Sequence, residues 1–346
     1  MLKIFSERIM TNNSASTPKL IDRFGRQVTY VRLSVTDRCD LRCVYCMSDD
    51  MQFLPRAQLL TLEEINRIGK AFVDLGVNKI RVTGGEPLTR RSILTVFKSL
   101  GQLNGLDDLT ITTNGTLLEK YAQPLKDAGV TRINISLDTL KAERFKKITR
   151  IGKLDKTLKG IDAALNAGFQ RIKLNTVIMK NHNDDEIMDL INFVREHDMD
   201  ISFIEEMPLG IMADDSDRAA TYYSSDQILA DINKHHELIS TTEKTGGPAN
   251  YYRFKDSNSR IGFISPHSHN FCDTCNRVRV TSEGMLLLCL GQEHSIDLRH
   301  IVRAHPTNDE ILRQAIIDSM QLKPEGHDFN LNEQPIIMRY MSSTGG

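Results

Sequence analysis

Residues 31–46 read VRLSVTDRCDLRCVYC, an apolar, β-branched run that leads directly into three closely spaced cysteines. The run from Val31 to Val35 predicts a buried strand, and the loop that leaves this strand carries Cys39, Cys43 and Cys46. Three thiolates can hold one face of a cubane iron–sulfur cluster, whereas a closed structural zinc site needs four protein ligands. The stretch therefore predicts a cluster with one open metal position, where a small molecule can be held and reduced. The alternative is a zinc site completed by a histidine, although the first histidine of the chain is the distant His182.

Similar apolar runs recur along the next part of the chain and alternate with amphipathic stretches. Six strand candidates are Val31 to Val35, Lys79 to Thr83, Leu109 to Thr113, Arg132 to Leu137, Lys173 to Met179 and Ile201 to Glu206. Strands that alternate with helices predict a parallel sheet, either doubly wound or curled into a barrel. In both architectures ligands bind beyond the carboxyl ends of the strands, which places one site at that end of the sheet.

Two helices of this region have clear boundaries. Thr61-Leu62-Glu63-Glu64 has the form of a capping box, and Gly76 follows the apolar face as a stop. The stretch from Lys153 to Ala167, followed by Gly168, repeats the arrangement. Both stretches predict a helix that leads into a strand.

The composition excludes several classes of protein. The 346 residues are 40% hydrophobic, which suits a globular chain of two domains, and the longest apolar run, at 285–290, is far shorter than a membrane-spanning helix. Lysine plus arginine (44) nearly balances aspartate plus glutamate (45), so nothing predicts bulk binding to nucleic acid or to a membrane surface. Residues 1–19 lack the apolar core of a secretory signal and are predicted to be a disordered arm.

The six cysteines form two groups, and the second group is Cys272, Cys275 and Cys289. Two such groups indicate metal sites in a reducing compartment, and we expect a cytoplasmic location. The residues alone leave two alternatives for the second group. One is a second open iron–sulfur cluster, and the other is a zinc site of three cysteines and one histidine, drawn from His267, His269 or His294.

The cysteine spacing resembles a known signature. The pattern C-x3-C-x2-C with an aromatic residue, Tyr45, before the last cysteine resembles that of the radical S-adenosylmethionine (SAM) enzymes, as does Thr83-Gly84-Gly85-Glu86-Pro87. Within that superfamily, the segment 275–281 with Gly284 and Cys289 resembles the C-terminal motif of the GTP 3′,8-cyclase family of molybdenum cofactor synthesis. The resemblance runs from Leu20 to the terminal Gly345-Gly346, and Glu205-Glu206 departs from it by adding an acid.

This resemblance implies a fold, domains and cofactors. The fold is α/β, an incomplete (β/α)6 TIM-type barrel with a smaller C-terminal iron–sulfur domain. The barrel would occupy residues 20–240, and residues 241–346 would carry the second cluster and the double-glycine tail. The implied cofactors are SAM and two [4Fe–4S] clusters, bound by Cys39, Cys43 and Cys46 and by Cys272, Cys275 and Cys289. The implied reaction converts GTP to (8S)-3′,8-cyclo-7,8-dihydroguanosine 5′-triphosphate.

The resemblance also assigns individual residues. Four positions match SAM contacts: Tyr45, Gly85, Ser136 and Met207. The positions that match GTP contacts are Arg32, Arg81, Thr112, Lys173, Arg277, Val278 and Arg279, and the predicted catalytic residues among them are Arg32, Arg277 and Arg279. Because GTP is a polyanion and the chain is nearly neutral, the cations must be gathered locally. The alternative for each cation is an ordinary surface salt bridge.

The resemblance implies GTP, an external one-electron donor and the downstream enzyme cyclic pyranopterin monophosphate synthase as partners, and it leaves a homodimer open. Two other functions compete. A peptide-modifying radical SAM maturase should carry more cysteines in its auxiliary domain. A non-catalytic iron–sulfur or zinc binding protein would have no need of six βα units and a GGEP loop.

Overall fold

The computed structural model of the chain describes residues 19–48, 51–210, 218–331, 333, 337 and 339–345. The predicted N-terminal arm lies outside these residues apart from the exposed Lys19, and so does the terminal Gly346.

Within the described residues the backbone forms one mixed sheet that is mostly parallel. The strands are β1 (Tyr30–Ser34), β2 (Lys79–Thr83), β3 (Asp108–Thr113), β4 (Arg132–Ser136), β5 (Arg171–Val177), β6 (Asp200–Ile204), β7 (Ile239–Ser240), β8 (Asn250–Arg253), β9 (Arg260–Ile264), β10 (Arg277–Val280), β11 (Met285–Leu287) and β12 (Ser295–Asp297). Their order is β12-β11-β10-β1-β2-β3-β4-β5-β6-β9-β8-β7. The six predicted strands are confirmed in order as β1 to β6, and the sheet is a barrel that does not close.

The helices are α1 (Leu62–Asp74), α2 (Ile93–Gly101), α3 (Leu118–Asp127), α4 (Ala142–Thr149), α5 (Leu154–Asn166), α6 (Ile187–Glu196), α7 (Arg218–Thr221), α8 (Ser225–Asn233), α9 (Leu298–Ala304), α10 (Asp309–Ser319) and α11 (Met341–Thr344). Helices α1 to α8 lie between strands along the chain, and α9 to α11 follow β12. The capping box predicted at Thr61 is confirmed, since its side chain accepts from the Glu64 N–H and the Glu64 carboxylate accepts from the Thr61 N–H. The helix predicted from Lys153 is α5.

The strands of the barrel alternate apolar and polar side chains. In β2, Ile80 and Val82 are fully buried in the core shared with the helices, whereas Arg81 lies on the opposite side. Parallel pairing brings Arg32 of β1 beside Arg81 on one side and beside Arg279 of β10 on the other. The interior of the barrel is therefore polar and cationic, as a ligand site requires, rather than a packed apolar core.

The C-terminal strands continue the barrel sheet at both ends. β10 pairs parallel to β1, and β9 pairs parallel to β6. β10 and β11 pair antiparallel, and Gly284 turns the chain between them with φ +91°. The predicted domain boundary at 240/241 falls at the end of β7 and stays a prediction. No helix in the described part of the chain is long and apolar enough to cross a membrane.

Candidate active site

The three cysteines of the first group lie at the carboxyl end of the barrel, where they line a cavity of about 180 Å³. Their loop is fixed by the GGEP segment, since the Gly85 N–H donates to the Thr36 carbonyl at 2.7 Å and the Glu86 N–H to the Arg38 carbonyl at 2.8 Å. A Cβ on Gly85 would lie 2.4 Å from the Arg38 oxygen. Only glycine therefore allows this strand end to approach the cysteine loop so closely.

A buried carboxylate ties this loop to the next strand. Glu86 accepts hydrogen bonds from the Thr113 hydroxyl at 2.9 Å and from the Asn114 N–H at 2.7 Å. The Asn114 side-chain amide then donates to Asp40 at 2.7 Å and lies 3.6 Å from the Cys39 sulfur. The sequence motifs singled out Thr112 in this region but not Asn114. Its position makes it a hydrogen-bond donor to a cysteine of the first group.

The environment of the first group disfavours free thiolates. Burial raises the pKa of all three thiols, to about 12 for Cys46, and the carboxylates of Glu86 and Asp138 raise the pKa of Cys39 and Cys43 further. Such thiols remain protonated at neutral pH unless a metal takes the place of the protons. Three free cysteines around one cavity fit the donor set of an iron–sulfur cluster with an open iron.

The four predicted SAM residues, Tyr45, Gly85, Ser136 and Met207, line the same cavity. The Tyr45 hydroxyl donates to Asp138 at 2.6 Å, and the other Asp138 oxygen accepts from the Val177 N–H at 2.9 Å. Burial raises the pKa of Asp138 to about 6. Asp138 was not among the predicted site residues, although it lies two residues after Ser136, where β4 ends.

Polar atoms of this cavity are also left for a ligand. The Thr112 hydroxyl and the Asn175 side-chain oxygen are buried and have no hydrogen-bond partner among the described residues. Buried polar groups in proteins are normally paired. The cavity is therefore suited to a ligand with polar atoms, such as the ribose or amino-acid part of a nucleoside cofactor.

The predicted GTP residues extend from this cavity through the barrel. Arg32 and Thr112 line the cavity of the first cysteine group, whereas Arg81 and Lys173 line a narrow pocket nearer the amino ends of the strands. Lys173 donates to the Tyr251 hydroxyl at 3.2 Å, and Arg81 lies over the Tyr30 ring. Neither cation forms an ion pair with a carboxylate of the described residues, so the salt-bridge alternative does not account for them.

The concentration of positive charge inside the barrel shifts the pKa of neighbouring groups. Burial lowers the pKa of Arg32 to about 10 and also lowers that of Arg279, and the neighbouring arginines contribute to both shifts. Burial alone would raise the pKa of Tyr30, but Arg81, Arg32 and Lys79 lower it to about 7. Like charges held close together away from bulk water repel one another, and a bound anion relieves that repulsion. The interior of the barrel is therefore a candidate polyanion site.

The second cysteine group lines an adjoining cavity of about 100 Å³ together with Arg277, Val278 and Arg279. Met207 lines both this cavity and that of the first group, so the two sites are neighbours. Burial alone would raise the pKa of Cys275, yet this pKa is lowered because Arg277 and Lys323 lie close to the thiol. The two cysteine groups thus differ in electrostatic environment, acidic around the first and basic around the second.

The histidines proposed as zinc ligands lie elsewhere. His267 is hydrogen-bonded to the Glu206 carbonyl at 2.9 Å, and His269 is paired with Asp226. Neither of them, nor His294, lines the cavity of the second group, whereas His327, which the sequence did not single out, does. Where the chain is described, no three Cys, His, Asp or Glu side chains converge on one metal ion. Among the described residues, none of the three predicted histidines is therefore placed to complete a zinc site with the second group.

The added acid at 205–206 has a structural role. Glu205 is fully buried and accepts from the N–H groups of Ser225, His267 and Ser268, at 2.9, 2.9 and 3.1 Å. Glu206 lines the cavity of the first cysteine group and forms an ion pair with Arg218. Glu205 therefore anchors the end of β6, two residues before Met207, to the loop after β9.

Comparisons with known proteins agree with this arrangement. The family model for the radical SAM superfamily matches residues 33–194, and that for Molybdenum Cofactor Synthesis C matches residues 199–329. The fold is similar to the crystal structure of Streptococcus suis SuiB bound to S-adenosylmethionine, with a TM-score of 0.61, 15% identity and coverage of 92% of this chain and 78% of SuiB.

Relatives named GTP 3′,8-cyclase match over nearly the whole chain. The relative from Saccharophagus degradans is 60% identical over 94% of this chain and 98% of its own length. Those from Marinobacter nauticus and Ectopseudomonas mendocina are 59% and 54% identical, each over 95% of this chain and 99% of their own. With such identity across both cysteine groups and the barrel between them, this chain belongs to the GTP 3′,8-cyclase family of radical SAM enzymes.

Proposed function

We propose that this chain converts GTP to (8S)-3′,8-cyclo-7,8-dihydroguanosine 5′-triphosphate, the first step of molybdenum cofactor biosynthesis. One observation carries the proposal. Two three-cysteine groups line adjoining cavities, and the cations Arg32, Arg277 and Arg279 line the same two cavities. This arrangement suits a nucleoside triphosphate held between two metal centres, and the names of the relatives agree with it.

The residues divide the work as follows. Cys39, Cys43 and Cys46 hold the first [4Fe–4S] cluster, and Cys272, Cys275 and Cys289 hold a second. SAM lies against Tyr45, Gly85, Ser136 and Met207. When bound, the first cluster and SAM supply the one-electron chemistry that starts hydrogen abstraction from the GTP ribose C3′, and the second cluster supplies an open iron for the purine.

The basic residues bind and orient the substrate. Arg81, Lys173 and Arg32, with the Thr112 hydroxyl, hold the polyanion inside the barrel. Arg277 and Arg279, on either side of Val278, face the second group and stabilise charge on the cyclising substrate. The barrel walls exclude water from this space and so protect a reactive radical from side reactions.

The deciding experiment is anaerobic reconstitution with iron and sulfide, followed by incubation with dithionite, SAM and each nucleoside triphosphate in turn. We expect 5′-deoxyadenosine and the cyclised product with GTP only, and about eight irons per chain. Stoichiometric zinc without an iron–sulfur signal, or no preference for GTP, would contradict the proposal. The second result would favour the peptide-modifying maturase.

The same proposal implies partners and a location. An external one-electron donor must reduce the first cluster, and cyclic pyranopterin monophosphate synthase would take the product. The six free cysteines suit a reducing compartment, and we propose the cytoplasm. A homodimer remains part of the proposal and is tested by sedimentation at several protein concentrations.

A further inference from the structure

Lys323 is a buried lysine at the second cysteine group. It follows the short 3-10 helix Met320–Leu322, and its side chain is 1% exposed. The Nζ atom donates to the Leu288 carbonyl at 2.8 Å and to the Arg277 carbonyl at 3.2 Å, and it lies 3.6 Å from the Cys275 sulfur. Its three N–H groups therefore point at two backbone oxygens and one thiol.

This ammonium lacks the partner that a buried cation normally has. In the described part of the chain, no carboxylate lies within ion-pair distance of Lys323, and two carbonyl dipoles do not neutralise a full charge. An isolated buried ammonium is strongly destabilising unless an opposite charge is close. The nearest group able to carry negative charge is the Cys275 sulfur.

A second buried cation reinforces this environment. Arg26 donates to the carbonyl oxygens of Cys272, Pro324 and Glu325, at 2.8, 2.5 and 2.5 Å, although it is itself paired with Asp22. Arg26 thus fixes both the first cysteine of the group and the segment that follows Lys323. The position of the ammonium is set by packing on both sides.

We propose that Lys323 is a built-in counter-ion of the second iron–sulfur cluster and a hydrogen-bond donor to its Cys275 ligand. The inference rests on the proposed second cluster. A cubane held by three thiolates is anionic, and one-electron reduction makes it more so. Net charge and hydrogen bonds to sulfur set the potential of such clusters, so a fixed ammonium stabilises the reduced state and raises the reduction potential. Lys323 is a positioning residue, since it touches a ligand rather than substrate.

The test uses the full chain with Cys39, Cys43 and Cys46 replaced by alanine, so that only the second group binds iron. This triple-alanine chain is the parent. We compare it with the parent carrying Lys323→Met, which removes the charge and the hydrogen-bond donor, and with the parent carrying Lys323→Arg, which keeps both. Lys70→Met is the control, because Lys70 lies on the exposed face of α1 and pairs with Asp74. Chemical assays measure the iron and sulfide content. A redox titration monitored by electron paramagnetic resonance measures the midpoint potential.

For Lys323→Met we expect a more negative midpoint potential, with the ratio of reduced to oxidised cluster about tenfold lower at a fixed ambient potential, a shift of about 59 mV. Lys323→Arg and Lys70→Met should remain near the parent value. Loss of iron in Lys323→Met with retention in Lys323→Arg also supports the counter-ion. An unchanged potential in Lys323→Met, or loss of iron in both variants, overturns it. If the parent itself binds no iron, the proposed second cluster is contradicted, and this result is distinct from a failure of the Lys323 proposal.

Discussion

The Arg279 guanidinium donates a hydrogen bond of 2.6 Å to the Gly345 carbonyl oxygen. Gly345 is buried with φ +77°, and a Cβ there would lie 2.3 Å from the Thr83 hydroxyl and 3.2 Å from Ser34. Ser342, three residues earlier, lines the cavity of the first cysteine group. The C-terminal segment therefore packs against the carboxyl ends of β1 and β2 and fixes one of the predicted substrate arginines.

Gly345→Ala tests this contact. We expect product formation to fall at least about tenfold, a barrier increase of about 1.4 kcal/mol, with both clusters retained, because the methyl group displaces Thr83 and frees Arg279. The matched control is Gly168→Ala, since Gly168 has φ +69° and nothing within 4 Å of a Cβ. Deletion of the two terminal glycines and Arg279→Ala should act like Gly345→Ala, and wild-type rates in all three would refute the role of the tail.

Substitutions in the two cysteine groups should abolish different steps of the reaction. Alanine at Cys39, Cys43 or Cys46 should abolish cleavage of SAM, because all four predicted SAM residues line the cavity of the first group, whereas Met207 alone among them also lines the cavity of the second. Alanine at Cys272, Cys275 or Cys289 should abolish GTP cyclisation while some uncoupled cleavage continues. Quantifying 5′-deoxyadenosine and cyclised product in the same reactions separates the two cases, and equal loss of cleavage in both sets would contradict the assignment.

Substrate binding should take up protons near neutral pH. The interior cations, against the effect of burial, lower the pKa of Tyr30 to about 7, and burial lowers that of Lys79 to about 7 although its Nζ lies 3.0 Å from the Asp108 carboxylate. A bound polyanion raises both pKa values, so each group gains a proton on binding. We therefore expect GTP affinity to fall as the pH rises above about 7.

Isothermal titration calorimetry in buffers of different ionisation enthalpy measures this effect directly. At pH 8 the wild-type chain should show net proton uptake, and the variant combining Lys79→Met with Tyr30→Phe should show much less. Proton release on binding would show that the polyanion lies elsewhere.

Glu205→Gln tests the anchor of the β6 end. The glutamine amide nitrogen is a donor and cannot accept the backbone N–H groups that now bind the Glu205 carboxylate. Because at least one of these hydrogen bonds is lost, we expect the free energy of unfolding to fall by about 2 kcal/mol. Glu119→Gln on the exposed start of α3 should change it by no more than about 0.5 kcal/mol. Urea denaturation provides both values, and the KM for SAM should rise in Glu205→Gln alone, since Met207 follows two residues later. Equal stability of the two variants would refute the anchor.

The strands could be predicted because their outer faces are apolar and because each begins and ends near a turn. The predicted strand Lys173 to Met179 lies two residues later than β5, since Arg171 faces the polar interior and hides the start of the strand from the apolar pattern. The continuity of the sheet was not predicted either. Pairing of β10 with β1 joins residues far apart in sequence, and local periodicity carries no information on such pairs.

Within the candidate site, motif residues were identifiable and supporting residues were not. Cys39 and Gly85 belong to patterns with fixed spacing, whereas Asn114, Asp138 and Lys323 act through contacts that only the fold creates. Lys323 in particular has no local feature to distinguish it from an exposed lysine. The double-glycine tail was noticed as a match, but its packing against Thr83 required the structure.

The continuous sheet has a consequence for any attempt to divide this chain. A truncation near residue 240 would remove β9 and β10 together and so expose β6 and β1, two apolar strands with unpaired backbone groups, at opposite edges of the remaining barrel. Open edges of this kind recruit other chains and aggregate. The N-terminal fragment should therefore be recovered as inclusion bodies on expression, and domain exchange between relatives would have to preserve both strand junctions.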